Sequence, residues 1–225
     1  MPTELSALVT RIRGLLDRLV ASRSLDNDEK ELVIDEVAAE ARALPRERVL
    51  EALDKAIGSG TKRREEAIYI LSEFTDVPEV VDRIGAWLRD PDPQVRSWFI
   101  QTVEQARLKQ FAPFLNEIME SDPDPLCRGF AIHAAGTLKV DENLPTLLRL
   151  AKRGEYDETW RLVWALKDYA TEECRPYLEE WFRERYSKSD RVIAAWGLGK
   201  LGDKTAIAYL IHMLDDPDET WAGVL

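Results

Sequence analysis

The chain has 225 residues, 45% of them apolar and 32% charged, and its 31 basic and 42 acidic side chains give a net charge of −11. The apolar fraction excludes global disorder, and a chain of this length buries a core without metals or disulfides. Acidic residues outnumber basic ones in both halves. Because a phosphate backbone needs a basic surface, we expect no nucleic acid as a partner.

The first predicted element is a helix near the N-terminus. Apolar residues in Leu5–Ala21 share one helical face, but Arg11, Arg13 and Asp17 interrupt the stretch. The stretch therefore predicts neither a membrane span nor a signal peptide, and we expect a cytoplasmic protein that does not bind membranes. We interpret residues 1–23 as an N-terminal cap helix, with a dimerisation or partner helix as the alternative.

A repeat organises the rest of the chain. Asp90-Pro-Asp-Pro recurs 32 residues later as Asp122-Pro-Asp-Pro, and an arginine follows each copy at the same offset. In this register the arginines are Arg64, Arg96, Arg128, Arg161 and Arg191. The spacing predicts a repeat array over residues 61–225 after a degenerate helix pair at 24–60, all in one solenoid domain.

Each repeat is predicted to be a pair of helices. Apolar residues recur at three- and four-residue spacing, and no useful stretch alternates apolar with polar residues. Asp92 and Asp124 are suited to cap helices that begin at Pro93 and Pro125. We predict an all-α chain of five to six helix pairs, whose aligned arginines reach carboxylates or free carbonyls of neighbouring repeats.

One segment resembles a known family. Arg191 precedes the pair Ala194-Ala195, a turn over 199–203 with the sequence Gly-Lys-Leu-Gly-Asp, and a leucine-rich helix over 206–214. This pattern resembles a HEAT or HEAT-like repeat of the phycobilin-lyase type. The resemblance implies a right-handed α–α superhelix in which the second helix of each pair lines the inner, concave surface.

The sequence offers little for catalysis. His133 and His212 are the only histidines, neither is followed by glutamate, and Cys127 and Cys174 form no CxxC motif. These features argue against zinc sites and against the di-iron centre of deoxyhypusine hydroxylase, a HEAT-like enzyme. We expect a non-enzyme without metal or organic cofactor, in which both cysteines are structural thiols.

A polar row on the second helices is the candidate binding site. Each predicted second helix contains two neighbouring apolar residues, and aligning the helices on these pairs brings polar residues into one row. The row comprises Asp82, Asn116, Glu117, Glu120, Arg149, Glu179, Glu180 and Arg183. We predict that this row lines an acidic concave groove that binds another protein with a basic surface. The specific form of this prediction is a bacterial immunity protein that neutralises a cognate toxin. A solvated helix face is the alternative interpretation, and the oligomeric state stays open.

Two further functions fit the repeat type. One is a lyase-like or chaperone accessory of a pigment protein. The other is a HEAT-like DNA glycosylase, suggested by Asp157, Trp160 and Arg161 but opposed by the net charge of −11. We expect most of the seven tryptophans to lie in the inter-repeat core, with an exposed patch at Trp160 and Trp164 as the alternative.

Overall fold

The computed structural model describes residues 2–57, 64–154, 159–183 and 186–214. Within these ranges every regular element is helical and none is a strand. The α-helices are α1 (Pro2–Ser22), α2 (Asn27–Ala41), α3 (Val49–Ile57), α4 (Arg64–Leu71), α5 (Pro78–Trp87), α6 (Pro93–Gln105), α7 (Ala112–Ser121), α8 (Pro125–Leu138), α9 (Leu144–Arg153), α10 (Thr159–Tyr169), α11 (Arg175–Trp181), α12 (Lys188–Lys200) and α13 (Lys204–Leu214). The predicted all-α solenoid fold is confirmed.

The chain forms two compact units, Met1–Leu108 and Lys109–Leu225. After α1, first helices (α2, α4, α6, α8, α10, α12) alternate with second helices (α3, α5, α7, α9, α11, α13). The predicted division into a cap helix, a degenerate pair and one repeat array stays a prediction.

In the first unit, α1 packs against α2, α3 and α4, and α4 packs against α2 and α6. The apolar face of α1 is buried there, with Ile12 and Leu16 fully inaccessible to solvent. Arg23, just beyond α1, donates from Nε to Oε1 of the buried Glu66 at 2.6 Å, and its guanidinium lies over the Trp98 ring. These contacts attach the end of α1 to α4 and α6.

In the second unit, α10 packs between α8 and α12, and the second helices lie beside these first helices. The contact between α8 and α10 is very close at Gly136. A Cβ added there would lie 2.6 Å from the Cα of Ala165. Glycine at this position lets the two helix backbones approach each other.

The repeated Asp-Pro-Asp-Pro motif proves to be structural. Asp92 accepts a hydrogen bond from the Gln94 amide at 2.9 Å, and Asp124 accepts one from Cys127 at 3.0 Å, so both cap the next helix as predicted. The preceding aspartate of each copy bonds the amide two residues on, at 2.9 Å in both cases. The motif therefore sets the turn and begins the first helix.

The aligned arginines join consecutive repeats. Arg96 donates to the carbonyl of Asp90 at 2.7 Å, Arg128 to that of Asp122 at 2.6 Å, and Arg191 to that of Phe182 at 3.3 Å. Each acceptor lies just beyond the second helix of the preceding pair, where helix geometry leaves carbonyls without an internal partner. The predicted link to free carbonyls is confirmed at these three positions, and the Arg64 side chain lies outside the described residues.

The prediction that most tryptophans lie in the core was wrong. Of the six in the described residues, only Trp87 and Trp181 are buried, whereas Trp98 and Trp160 are 40% and 44% exposed. Several of these rings carry a cation on their face. Lys167, for example, holds its Nζ 4.1 Å from the Trp164 ring centre.

Candidate functional site

The predicted row lies on the second helices but is divided between the two units. Seven of its members belong to α7, α9 and α11 or follow α11 directly, and we call the exposed side chains of these helices the second-helix face. Asp82 lies apart on α5, in the first unit. Asn116 and Glu180 are half-buried, and the other six are exposed: Asp82, Glu117, Glu120, Arg149, Glu179 and Arg183.

The row does not follow a single register. In the apolar pairs of α5 and α9, the first member is fully buried, Val80 and Leu147, whereas in those of α7 and α11 it is the second, Leu115 and Leu178. The row residue that directly follows a pair is therefore two positions beyond the buried residue in α5 and α9 but only one position beyond it in α7 and α11, a difference of about 100° around the helix. Apolar pairing alone did not show which member faces inward.

An ion pair joins α7 to α9. Arg149 donates through Nε to Oε1 of Glu120 at 2.7 Å and through Nη2 to the Thr146 hydroxyl at 3.1 Å. In the first unit, Asp54 on α3 and Arg83 on α5 form a similar ion pair between second helices, and these residues are also 29 positions apart. The hydrogen bond to Asp54 raises the pKa of Arg83. Two row members thus neutralise each other across neighbouring second helices.

A buried asparagine strengthens the same junction. Asn143, fully inaccessible just before α9, donates from Nδ2 to the Ala112 carbonyl at 2.8 Å and to Oδ1 of Asn116 at 2.9 Å. Asn116 in turn donates to the Glu142 carbonyl at 3.1 Å. Sequence reasoning missed Asn143, although a polar residue directly before a helix that has proline in its first turn is a recognisable signal.

Charge alternates along the second-helix face. α7 carries the carboxylates Glu117 and Glu120, and α11 carries Glu179 and Glu180. Between them, α9 holds only basic charges: Arg149, Lys152 and Arg153. The face therefore presents two acidic helices beside a basic one.

A cavity of about 370 Å³ opens between α9 and α11. Its apolar wall includes Leu150 and Leu162, and its lining includes the rings of Tyr177, Trp181 and Tyr186 and the side chain of Glu180. Glu180 is also ion-paired through Oε2 with Nη1 of Arg183 at 2.9 Å. Two predicted row members thus meet beside an aromatic cavity that sequence reasoning did not foresee.

Comparison with known families agrees with this architecture. The family model of HEAT repeats matches residues 50–136 and 81–167, which together exceed half of the chain. The chain belongs to the HEAT repeat family. The PBS lyase HEAT-like repeat matches residues 190–216 of this HEAT repeat protein, and these include all of α13. No curated protein sequence matches the chain.

Metal-ligating side chains are dispersed in the described part of this HEAT repeat protein. Across residues 2–57, 64–154, 159–183 and 186–214, no group of three or more His, Cys, Asp or Glu side chains is placed to hold a metal ion. Cys127 and Cys174 are buried. Among the described helices none is long and apolar enough to cross a membrane. That the protein is no enzyme and uses no cofactor stays a prediction.

Arg161, part of the glycosylase-like trio, contacts one ring on its own helix α10 and one ring on α8 of the preceding pair. Its guanidinium lies 4.4 Å from the Trp160 ring centre and 5.0 Å from that of Phe130. Asp157 lies outside the described residues. The exposed patch predicted at Trp160 and Trp164 is present in part, since Trp160 is exposed and Trp164 is half-buried.

Proposed function

We propose that this HEAT repeat protein is a non-catalytic scaffold that binds another protein through the second-helix face. The main support is the polar junction of α7 and α9, where Arg149 meets Glu120 and Asn143 meets Asn116. Side chains that are already ordered lose less conformational entropy when a partner binds. Helical repeat proteins characteristically bind through extended surfaces of this kind.

The charges on this face favour a partner with basic groups opposite α7 and α11. Glu117 and Glu179 are the most suitable contacts, because both are exposed on these two helices. A net charge of −11 speeds the encounter with a basic protein. Added salt should therefore weaken binding, chiefly through a slower association rate.

An immunity protein that neutralises a basic toxin domain is the most specific form of this proposal. The net charge is the observation that favours it. The basic helix α9 adds a requirement, since the toxin surface would need acidic groups opposite Lys152 and Arg153. Co-expression with a toxin domain encoded beside the chain should restore growth, and continued killing would reject the immunity form.

The scaffold proposal is tested with three baits in an extract of the native host. The baits are the wild-type chain, a Glu117→Lys, Glu179→Lys variant and a matched Glu142→Lys, Glu173→Lys variant. Glu142 and Glu173 are exposed in the loops before α9 and α11, so the control has the same charge change off the face. A true partner is retained by the wild type and the control and lost by the face variant. Equal capture by all three baits would reject this face.

A further inference from the structure

We infer that the cavity between α9 and α11 receives an arginine side chain of the protein partner. This inference rests on the proposed function, because the cavity opens beside row members of the second-helix face. The volume, about 370 Å³, lies at the small end of ligand-binding cavities in proteins. It suits one anchoring side chain of a partner.

The cavity walls have the chemistry for a flat cation. Tyr177, Trp181 and Tyr186 contribute aromatic rings, whose negative faces attract cations. Leu150 and Leu162 are nearly inaccessible to solvent and supply an apolar base. A long side chain with an apolar stem and a charged planar head matches both parts.

Glu180 provides the counter-charge. Glu180 is one of the residues that line the cavity, and its half-buried side chain is paired with Arg183, whose side chain is 66% exposed. An ion pair with so exposed a cation is weak, because water and salt screen the attraction between the two charges. A partner cation can therefore replace Arg183 at the carboxylate at little cost.

Arginine fits this site better than lysine. A guanidinium stacks on aromatic rings and bonds a carboxylate through two nitrogens, whereas an ammonium acts as a point charge. Two arginines of this chain stack on aromatic rings elsewhere. The Arg161 guanidinium lies 4.4 Å from the Trp160 ring centre, and that of Arg191 lies 5.0 Å from the Tyr209 ring centre.

Basic residues near the cavity set a limit on affinity. Lys152 and Arg153 end α9 beside Gly154, which lines the cavity, and both are exposed. Their charge is partly screened by water and salt. We therefore expect an isolated arginine analogue to bind only weakly, at about millimolar concentrations.

The test uses N-acetyl-arginine methylamide as the probe, titrated into the full chain and followed by the NMR signal of the Trp181 indole. The uncharged citrulline analogue and the lysine analogue serve as comparison ligands. Four proteins are compared: wild type, Glu180→Gln, Arg183→Ala and the control Glu173→Gln. Glu173 is exposed in the loop before α11 and does not line the cavity, so its variant changes the charge equally without altering the cavity lining. Thermal melts establish that each variant is folded.

We expect the arginine analogue to bind the wild type at least about fivefold more tightly than the citrulline analogue, because a charge-assisted pair with Glu180 forms only with the former. Arg183→Ala should tighten binding, Glu180→Gln should abolish the preference, and Glu173→Gln should change the affinity less than about twofold.

Equal binding of the arginine and citrulline analogues to the wild type, or an unchanged preference in folded Glu180→Gln, would overturn the inference. Binding of the lysine analogue as tightly as the arginine analogue would overturn the assignment to arginine. No partner protein is needed for this titration. If the arginine analogue does not bind as expected, the scaffold proposal is therefore unaffected. If the Glu117→Lys, Glu179→Lys variant still binds a partner, the scaffold proposal is rejected, but the titration result for the cavity is unaffected.

Discussion

Single residues explain why the repeat is so visible in the sequence. The aspartates at 90, 92, 122 and 124 shape turns and cap helices, and Arg96 and Arg128 bind carbonyls at the end of the preceding second helix. Every member of the motif thus has a structural task. The strongest sequence signal in this chain is about folding, and it does not indicate a binding site.

Replacing the linking arginines should lower stability. Arg96→Ala and Arg128→Ala each remove a charged donor from a carbonyl, and hydrogen bonds to charged groups contribute about 1.5–3 kcal/mol. Urea unfolding should show a loss of this size. The exposed Arg153→Ala variant should stay within about 0.5 kcal/mol of the wild type, and equal stability of all three variants would reject the linking role.

Tyr169 should make stability fall at high pH. Burial first, and then the nearby charge of Asp141, raise the pKa of this phenol, and its hydroxyl donates to the Val140 carbonyl at 2.6 Å. A raised folded-state pKa gives stability that is complete below the unfolded value of about 10 and is lost as the pH rises toward the folded value.

Tyr169→Phe should therefore be less stable than the wild type at neutral pH, by about 1 kcal/mol for the lost hydrogen bond. The difference should shrink above a pH of about 10, where only the wild type has to keep a phenol protonated. Urea unfolding between neutral pH and a pH of about 11 measures both effects. A constant difference over this range would contradict the role of Tyr169.

The limits of sequence reasoning are also clearest at single residues. Helix caps such as Asp92 were predictable because capping needs only a local pattern. The burial of Leu115 rather than Phe114, and the bridge from Asn143 to Asn116, depend on how neighbouring helices pack. Such contacts join residues about 30 positions apart, beyond the reach of a local pattern.

At the scale of elements, the close packing of the first helices controls the second unit. α8 approaches α10 so closely at Gly136 that an added Cβ would lie 2.6 Å from a backbone atom of Ala165. A backbone atom cannot move aside as a flexible side chain can. The helices themselves would have to separate.

Gly136→Ala should therefore destabilise the protein by about 1–3 kcal/mol, the usual cost of overpacking. Gly14 on α1 is the matched control, because a Cβ there meets nothing within 4 Å. Gly14→Ala should be neutral or raise stability by up to about 1 kcal/mol, since alanine favours helices over glycine. Thermal or urea unfolding compares the two variants, and an equal effect would show that α8 and α10 tolerate separation.

Element boundaries were well predicted where proline and aspartate mark them. The helices predicted to begin at Pro93 and Pro125 begin at these residues. The tryptophans were misjudged because their neighbours on the next helix were unknown. Lys167 on α10 lies 5.1 Å from the ring centre of Trp196 on α12, a contact between elements that periodicity does not reveal.

For the whole molecule, composition describes the average surface and not the candidate site. The net charge of −11 predicted an acidic groove, but α9 places three basic residues between the acidic helices α7 and α11. Two of the predicted carboxylates, Glu120 and Glu180, already pair with arginines. The partner is therefore expected to match an alternating pattern of charge.

The most direct test of the scaffold proposal is calorimetric titration of the purified partner with the wild type, the Glu117→Lys, Glu179→Lys variant and the Glu142→Lys, Glu173→Lys control. Exposed side chains are changed in both variants, so their melting temperatures should match the wild type. Reversing two interfacial charges should weaken binding by at least about tenfold, with the control within about threefold of the wild type. Unchanged affinity in the folded face variant, or an equal loss in the control, would contradict binding through the second-helix face.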